Sequence, residues 1–457
     1  MKILRNIIYL LALVYSTGSF SQVQMPSFFS DNMVLQQDTL VAIWGTDKAN
    51  VKVEVSTSWG EKIATKTNEK GQWKVNVKTP IAGKTAYNVN IKGTNEVVLK
   101  DVLIGEVWLC SGQSNMEWSA NSGIDNKEEE IKNADYPNIR LFTVEKRTAD
   151  APQDNLVGTW EVCSSETMVN FSAVSYFFAR KLKGEMNIPI GLIDSSWGAS
   201  CAEVWTPEYV FDENPELLES YKLIQPNQWV TIERSTLYNA MIAPITDFKI
   251  AGVLWYQGES NTANAESYAN LFKSMIKSWR KAWDNPFPFY FVQIAPFKYG
   301  GAYQGAIVRN QQRLTLELEN TGMVVTSDIC TIDDIHPQNK QDVGLRLANI
   351  ALKEHYGVIG KEVHSPLFQE AIIKGNKIEV AFSNAEGLYS KGKEITDFEV
   401  AGTDEVFYPA KAKIVGSKIV VGSKKVKEPK NVRFAWHSTA IPNLYNGANL
   451  PASTFSN

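Results

Sequence analysis

The chain has 457 residues, of which 44% are hydrophobic, enough apolar material for about three domains with packed cores. Its 46 basic and 50 acidic side chains give a formal net charge of −4, so no excess of positive charge is available to attract nucleic acid or an anionic membrane. These values exclude a disordered chain and a nucleic-acid-binding protein, and we expect small or neutral partners.

The first residues are typical of an export signal. Lys2 and Arg5 supply positive charge, a short apolar run covers residues 7–14, and small residues follow at 16–21. That run is shorter than the roughly 20 residues needed to cross a bilayer, and no later segment comes close. We predict a signal peptide over residues 1–22, no membrane anchor, and a periplasmic or extracellular protein. An uncleaved N-terminal anchor is the alternative.

Residues 23–103 have the pattern of an antiparallel β domain. Short runs of β-branched and aromatic residues, separated by Gly, Asn, Asp and Lys, lie at 41–44, 51–55, 72–77 and 87–91. Apolar side chains alternate strictly with polar ones in two of these runs, as in Trp73, Val75 and Val77. Such alternation indicates one packed face and one solvated face, which predicts a β-sandwich-like domain.

From residue 104 to 363, apolar runs alternate with helical patterns. The runs, which indicate strands buried on both faces, lie at 107–110, 139–144, 188–193, 250–256, 287–294 and 323–326. Apolar side chains recur at helical spacing over 171–182, 268–279 and 343–351. This alternation predicts an α/β domain with a parallel sheet flanked by helices. Short strands return over 364–457, which predicts a C-terminal β-rich domain.

The cysteines and histidines do not form metal-binding or disulfide patterns. Four cysteines in a chain of this length are too few and too scattered for a disulfide framework, and no Cys-x-x-Cys occurs. The four histidines form no close pair. We therefore favour four free thiols and predict neither a metal nor another cofactor.

Polar motifs follow the ends of four predicted strands, where ligands bind in a parallel α/β sheet. They are Ser-Gly-Gln-Ser-Asn-Met at 111–116, Asp-Ser-Ser-Trp-Gly at 194–198, Gln-Gly-Glu-Ser-Asn at 257–261 and Asp-Asp-Ile-His-Pro at 333–337. Together they supply a hydroxyl nucleophile, an imidazole base, an acid to orient it, and donors for an oxyanion. These are the groups that an ester hydrolase requires.

Only one histidine, His336, lies in such a loop, and an imidazole titrates near neutral pH. Four serines of the motifs are candidate nucleophiles: Ser114, Ser195, Ser196 and Ser260. We favour Ser114, because Gly112 lets the backbone turn tightly after the strand and directs the Ser114 amide toward an oxyanion.

In this order the four motifs resemble the blocks of SGNH hydrolases of the sialate O-acetylesterase type. Segments at 30–36, 237–244 and 449–452 also resemble that family, so the similarity covers nearly the whole mature chain. The resemblance implies a flavodoxin-like SGNH hydrolase domain with β-sandwich accessory regions at both ends. It also implies a secreted serine esterase that removes O-acetyl groups from carbohydrates without a cofactor.

The resemblance assigns roles to individual residues. Ser114 matches the nucleophile, His336 the base, and Gly198 a backbone donor of the oxyanion hole, to which the Ser114 amide also contributes. The side-chain donor is either Gln257 or Asn261. We favour Gln257, which lies at the strand end.

The triad acid is either Asp333 or Asp334. The superfamily spacing of three residues before His336 favours Asp333, whereas the narrower resemblance to Asp-Ile-His favours Asp334. Our preference is Asp333, because a turn of that spacing brings the carboxylate back toward the imidazole.

Four further side chains are candidates for contact with substrate. Trp118 and Trp197 adjoin the motifs and offer flat surfaces for a sugar, while Glu203 and Glu259 either orient loops or bind substrate. We predict a sialate O-acetylesterase. An acetyl xylan esterase or other plant-polysaccharide deacetylase is the alternative enzyme, and a non-catalytic carbohydrate-binding protein is the alternative from another class.

Overall fold

The structure is a computed structural model that describes residues 22–457. The predicted signal peptide lies outside the described residues except for Gln22, so it stays a prediction.

The N-terminal region forms mainly antiparallel β structure, as the alternating pattern predicts. Its strands are β1 (Val34–Gln36), β2 (Leu40–Thr46), β3 (Lys52–Thr57), β4 (Lys62–Lys66), β5 (Gln72–Lys78), β6 (Tyr87–Lys92) and the first part of β7 (Glu96–Gly112). Strand β3 pairs with β4 and β6, β6 pairs with β7, and β2 pairs with β5, while the first strand, β1, pairs in parallel with β7. In β5 the side chains of Trp73, Val75 and Val77 are buried and those between them are exposed, which confirms the predicted packed and solvated faces.

A parallel sheet forms the centre of the molecule. It contains β7, β8 (Tyr136–Thr143), β9 (Trp160–Cys163), β10 (Ile190–Ser196), β11 (Gly252–Tyr256), β12 (Phe289–Val292) and β13 (Thr321–Val324). The strand order is β13-β12-β11-β7-β10-β8-β9, with only β9 antiparallel to its neighbour within this series. Strands β10, β7, β11, β12 and β13 have the flavodoxin-like order 2-1-3-4-5. The predicted fold class is confirmed.

Helices cover both faces of this sheet. They are α1 (Ser114–Glu117), α2 (Lys127–Lys132), α3 (Ser165–Met168), α4 (Ala173–Met186), α5 (Glu208–Glu213), α6 (Pro215–Tyr221), α7 (Tyr268–Ala282), α8 (Gln304–Thr315) and α9 (Lys340–Ile350). Short 3₁₀ or π turns lie at Ala202–Trp205, Tyr238–Ile242, Ala243–Ile245, Glu259–Ser267 and Ala351–His355. Helices α4 and α9 pack together in the core on one face, and α7 packs with α8 on the other.

The C-terminal region is a second β structure with its own core. Its strands are β14 (Leu367–Lys374), β15 (Lys377–Ser383), β16 (Tyr389–Ser390), β17 (Phe398–Ala401), β18 (Tyr408–Pro409), β19 (Lys411–Val415), β20 (Lys418–Gly422), β21 (Asn431–Phe434), β22 (Leu444–Tyr445) and β23 (Phe455–Ser456). Two antiparallel sheets, β14-β15-β20-β19 and β18-β17-β21-β23, supply the apolar side chains of that core. The buried Arg309 of α8 donates to the carbonyls of His437 and Ser438, which links this region to α8.

Strand β7 runs through Leu103 and Ile104, where the sequence predicts a domain boundary. Its first part pairs antiparallel with β6, and its last part pairs in parallel with β10 and β11. The N-terminal and central regions therefore share one strand. The division of the chain at residues 103 and 363 stays a prediction.

All four cysteines are free thiols, as the sequence favours, with Cys330 half-buried and the others buried. Within residues 22–457, no helix is both long and apolar enough to cross a membrane. In the same described range, no three or more His, Cys, Asp or Glu side chains are grouped so as to hold a metal ion.

Candidate active site

The loop after β7 brings the favoured serine to the histidine loop. Gly112 has a φ of +135°, and a Cβ there would collide with the Tyr256 carbonyl, so glycine is required where the chain leaves the sheet. Ser114 then begins α1, and its Oγ lies 2.8 Å from Nε2 of His336. A hydroxyl within hydrogen-bond distance of an imidazole nitrogen has the geometry of a nucleophile with its general base.

The other candidate serines have different neighbours. The Ser195 hydroxyl donates to the Met241 carbonyl, and the Ser196 hydroxyl donates to Asp194 at 2.5 Å. Within residues 22–457, Ser114 is the only one of the four serines that forms a hydrogen bond with His336. Of the four candidate serines, the geometry thus places Ser114 at the imidazole.

Trp118 lies against the base. Its ring centroid is 4.1 Å from that of His336, with the two planes 15° apart. The indole nitrogen donates to the Gly123 carbonyl at 2.7 Å, which fixes the ring. Stacking on this fixed surface restricts rotation of the imidazole. Trp118 was predicted to contact a sugar, but one face of its ring packs against His336 instead.

The two candidate acids have different surroundings. The Asp333 carboxylate pairs with Lys298 at 2.5 Å, and its side chain is 71% exposed. Asp334 is half-buried, and its Oδ1 accepts a hydrogen bond of 2.8 Å from the His336 amide. The structure thus places Asp334, and not the preferred Asp333, against the His336 backbone, and the choice of triad acid stays a prediction. The Asp334 side chain folds back onto the amide two residues ahead, as aspartates do in turns, while Asp333 points toward solvent.

The surroundings of His336 favour its neutral form. Burial is the main cause that lowers its pKa, and the positive charge of Lys340 lowers it further, whereas Asp334 and Glu117 act in the opposite direction. A neutral imidazole keeps the lone pair that accepts the serine proton. The lowered pKa therefore extends the neutral form of His336 to lower pH.

Gly198, the predicted backbone donor, lies next to Ser114, but its amide is occupied. A Cβ on Gly198 would lie 3.4 Å from the Ser114 Cβ. The Gly198 amide donates to Oε2 of Glu117 at 2.7 Å, and Oε1 of Glu117 accepts from Lys146 at 2.6 Å. The Glu117 carboxylate oxygen thus occupies the place where an oxyanion would accept a hydrogen bond from the Gly198 amide. Gly198 becomes available only when Glu117 turns away.

Gln257 does not point toward the nucleophile. Its Nε2 donates to the Ser200 carbonyl at 3.1 Å and to the Asn261 side chain at 2.8 Å, and its Oε1 accepts from the Tyr268 hydroxyl. Both amide hydrogens are engaged, and the side chain is fully buried. In this geometry the side chain turns into a buried network, so Gln257 is not placed as an oxyanion donor.

Asn261 belongs to the same network. Its Nδ2 donates to Glu203 at 2.9 Å and to Asn264 at 3.1 Å, and its Oδ1 accepts from the Ala202 amide. It is therefore not placed as an oxyanion donor either. Glu203 is 1% exposed and also accepts from Asn264. Of its two predicted roles, the structure places Glu203 where it orients loops.

A second buried cluster lies behind the serine and the histidine. Asn115 donates to Glu259 at 2.6 Å and to the Ile335 carbonyl at 2.9 Å, and it accepts from Lys340 at 2.5 Å. Glu259 is only 6% exposed, so it does not present its carboxylate to a substrate. The sequence analysis missed Asn115 and Lys340. Only their positions in the sequence could have indicated them. Asn115 directly follows Ser114, and Lys340 lies four residues after His336.

Trp197 and Trp229 lie beside Gly198 and form what we call the rim of the site. The Trp197 amide donates to the Gly112 carbonyl, and its indole nitrogen donates to the Trp229 carbonyl at 3.2 Å. Trp229 is 66% exposed, and its turn is held by Asn227, whose side chain accepts from the Trp229 amide. A fixed, exposed indole is suited to the apolar face of a sugar ring. Trp229 escaped sequence analysis because it lies in a loop without a motif.

Residues 104–353 match the family model described as "Carbohydrate esterase, sialic acid-specific acetylesterase". The chain belongs to this carbohydrate esterase family. The sialate O-acetylesterase of Mus musculus is 30% identical over 422 residues, which are 78% of this chain and 77% of the mouse protein. That of Homo sapiens is 29% identical over 421 residues, covering 82% of this chain and 79% of the human protein.

A solved structure agrees with this assignment. The crystal structure of a carbohydrate acetylesterase from Xanthomonas citri matches with a TM-score of 0.88 at 34% identity, covering 95% of this chain and 99% of that one. The family resemblance of the four motifs is thus confirmed. Like its family, the protein is a carbohydrate O-acetylesterase.

Proposed function

We propose that this carbohydrate O-acetylesterase works through an acetyl-enzyme on Ser114. The observation that carries the proposal is the 2.8 Å contact between the Ser114 hydroxyl and Nε2 of His336. The low pKa of the imidazole, caused first by burial, supports it, because the base is then neutral before substrate binds.

In the first half-reaction, His336 removes the hydroxyl proton of Ser114, and Oγ attacks the acetyl carbonyl carbon. The sugar oxygen leaves and takes the proton from the imidazolium. In the second half, His336 removes a proton from water, which attacks the same carbon. Acetate then leaves, and Ser114 Oγ recovers its proton. Asp334 stabilises the imidazolium.

The amides of Ser114 and Gly198 are the oxyanion donors in this proposal. Glu117 must release the Gly198 amide before the tetrahedral intermediate forms, and its ion pair with Lys146 provides a position for the released carboxylate.

Gly198→Ala is expected to lower kcat roughly 10²-fold, the scale of losing one oxyanion donor. The added methyl would lie 3.4 Å from the Ser114 Cβ, in the space that the acetyl oxygen needs. Steady-state kinetics on an activated acetate ester tests this, with circular dichroism and thermal unfolding as the controls for folding. A folded variant with unchanged kcat would remove Gly198 from the oxyanion hole.

We propose an O-acetylated sialic acid as the substrate. Membership in a sialic acid-specific acetylesterase family and the names of the mouse and human relatives support it. The rim of Trp197 and Trp229 suits a sugar ring but does not distinguish one sugar from another. Export by the predicted signal peptide belongs to the same proposal, since it gives access to glycans outside the cytoplasm.

Acetate release from O-acetylated sialic acid, acetylated xylo-oligosaccharides and acetylated pectin fragments tests the substrate. We expect the highest kcat/KM for the sialic acid, with loss of activity in Ser114→Ala for every substrate. A higher kcat/KM for the xylo-oligosaccharide would assign the protein to the plant-polysaccharide deacetylases. Binding of sugars without any acetate release would support a non-catalytic carbohydrate-binding protein.

A further inference from the structure

The direction in which the Asn115 amide points is fixed by Lys340. The lysine side chain offers only donors, and its Nζ lies 2.5 Å from Oδ1 of Asn115. The amide nitrogen must therefore face the other way, where it donates to Glu259 and to the Ile335 carbonyl. The Ile335 carbonyl and the Glu259 carboxylate select the same orientation from the other side, because both accept from the amide nitrogen.

The Asn115 amide joins the two halves of the active site. Asn115 is the residue after the nucleophile in α1, and Ile335 is the residue before the base. A hydrogen bond of 2.9 Å between them spans 220 positions in sequence. It holds the histidine loop against the nucleophile helix, close to where Ser114 meets His336.

Lys340 is also close to the rings that surround the base. Its Nζ lies 5.8 Å from the ring centroid of Trp118 and 5.5 Å from that of Tyr256. Trp118 in turn stacks on His336 at 4.1 Å. Lys340 is completely buried, and in such surroundings water screens its charge only weakly.

The charged groups near these two residues can be named. His336 is influenced by Lys340 from α9, Glu117 from α1 and Asp334 from its own loop. Burial lowers the pKa of Lys340 to about 7, while Glu259 and Asp334 act in the opposite direction. Burial raises the pKa of Glu259, and its Oε2 has no hydrogen-bond partner within the described residues.

We propose that Lys340 is a positioning residue for the base: it orients Asn115, which holds the His336 loop at the nucleophile, and its buried charge favours the neutral imidazole. The proposal rests on the proposed roles of Ser114 and His336. As pH falls, protonation of Lys340 adds positive charge beside His336 and so opposes protonation of the ring. The enzyme then keeps a functional base at lower pH than it would without the lysine.

The charge effect is tested without using catalysis. The ring signals of the four histidines are followed by NMR during a pH titration, and His336→Gln assigns the signal of the base. Lys340→Gln keeps an N–H donor but removes the charge, so we expect the His336 midpoint to move to higher pH. Lys353→Gln is the matched control, since Lys353 lies in the turn that follows the same helix and pairs with Glu362 away from the site. An unchanged His336 midpoint in Lys340→Gln would overturn the proposed charge effect.

The positioning effect is tested by kinetics on an activated acetate ester. We expect Lys340→Met to lower kcat on the order of 10²-fold, the cost of a misplaced catalytic group. In the plot of kcat/KM against pH, we expect the acidic limb to move to higher pH. Lys340→Arg keeps charge and donors, so it should restore part of kcat and return the limb toward lower pH. Lys353→Met should behave as wild type.

The outcomes separate this proposal from the mechanism it rests on. If the wild-type enzyme does not hydrolyse the ester, the proposed mechanism fails, while the NMR titration still decides the charge effect. If wild type is active and folded Lys340→Met keeps its kcat and acidic limb, only the role of Lys340 is refuted. A lower kcat with an unmoved limb and no recovery in Lys340→Arg would show a packing role instead. If Lys340→Met does not fold, Lys340→Gln takes its place in the kinetic measurement.

Discussion

Ser114→Ala is expected to abolish acetate release, with a fall in kcat on the order of 10⁶-fold, as when a serine nucleophile is removed from a triad. Alanine lacks the hydroxyl that lies 2.8 Å from His336, but it leaves α1 and the backbone amide in place. Kinetics on an activated acetate ester measures the loss.

Two controls accompany this variant. Thermal unfolding should give a Tm close to that of wild type, because the half-buried side chain loses only one oxygen atom. Ser122→Ala, an exposed serine in the following loop, should keep full activity. Near-normal turnover in folded Ser114→Ala would refute the nucleophile and turn attention to Ser195, Ser196 or Ser260.

If Asp334 is the triad acid, as we propose, Asp334→Asn is expected to lower kcat about 10⁴-fold, the cost of losing that acid in a serine hydrolase. Asp333→Asn should change kcat only slightly, because that carboxylate is 71% exposed and pairs with Lys298. The two variants have the same change of charge and size, so each is the control of the other. A steep loss confined to Asp333→Asn would reverse the assignment, and mild effects in both would indicate a Ser-His dyad.

The central fold could be predicted because its strands are buried on both faces. Continuous apolar runs such as those of β10 and β11 indicate a parallel sheet with helices on each side. Helix α8 was missed because it buries polar side chains. Arg309, Asn310 and Gln312 are at most 7% exposed, so the apolar periodicity that marks a buried helix is weak.

The positions of the nucleophile and base were also accessible from sequence, because strand ends meet at one edge of a parallel sheet. The choice between Asp333 and Asp334 was not, since it depends on which way each side chain leaves a turn. The direction of the Gln257 side chain could not be predicted from sequence either. Its place at a strand end is correct, but its side chain turns inward to Ser200 and Asn261 instead of toward the nucleophile.

Lys340 and Glu117 could not be identified from sequence for different reasons. A lysine at the start of a helix is normally exposed, whereas Lys340 is completely buried beside Asn115. Glu117 follows the serine motif, but nothing in the sequence indicates that its carboxylate reaches the Gly198 amide. Both contacts arise where separate loops meet, so they depend on the assembled sheet.

The most direct test of Ser114 as the nucleophile is mass spectrometry after reaction with an alkyl fluorophosphonate, which forms a stable adduct with an activated serine. The account predicts a single adduct on the peptide that carries Ser114, formed in parallel with the loss of esterase activity and absent from Ser114→Ala. An adduct on Ser195, Ser196 or Ser260 that accompanies inactivation, with Ser114 unmodified, would contradict it.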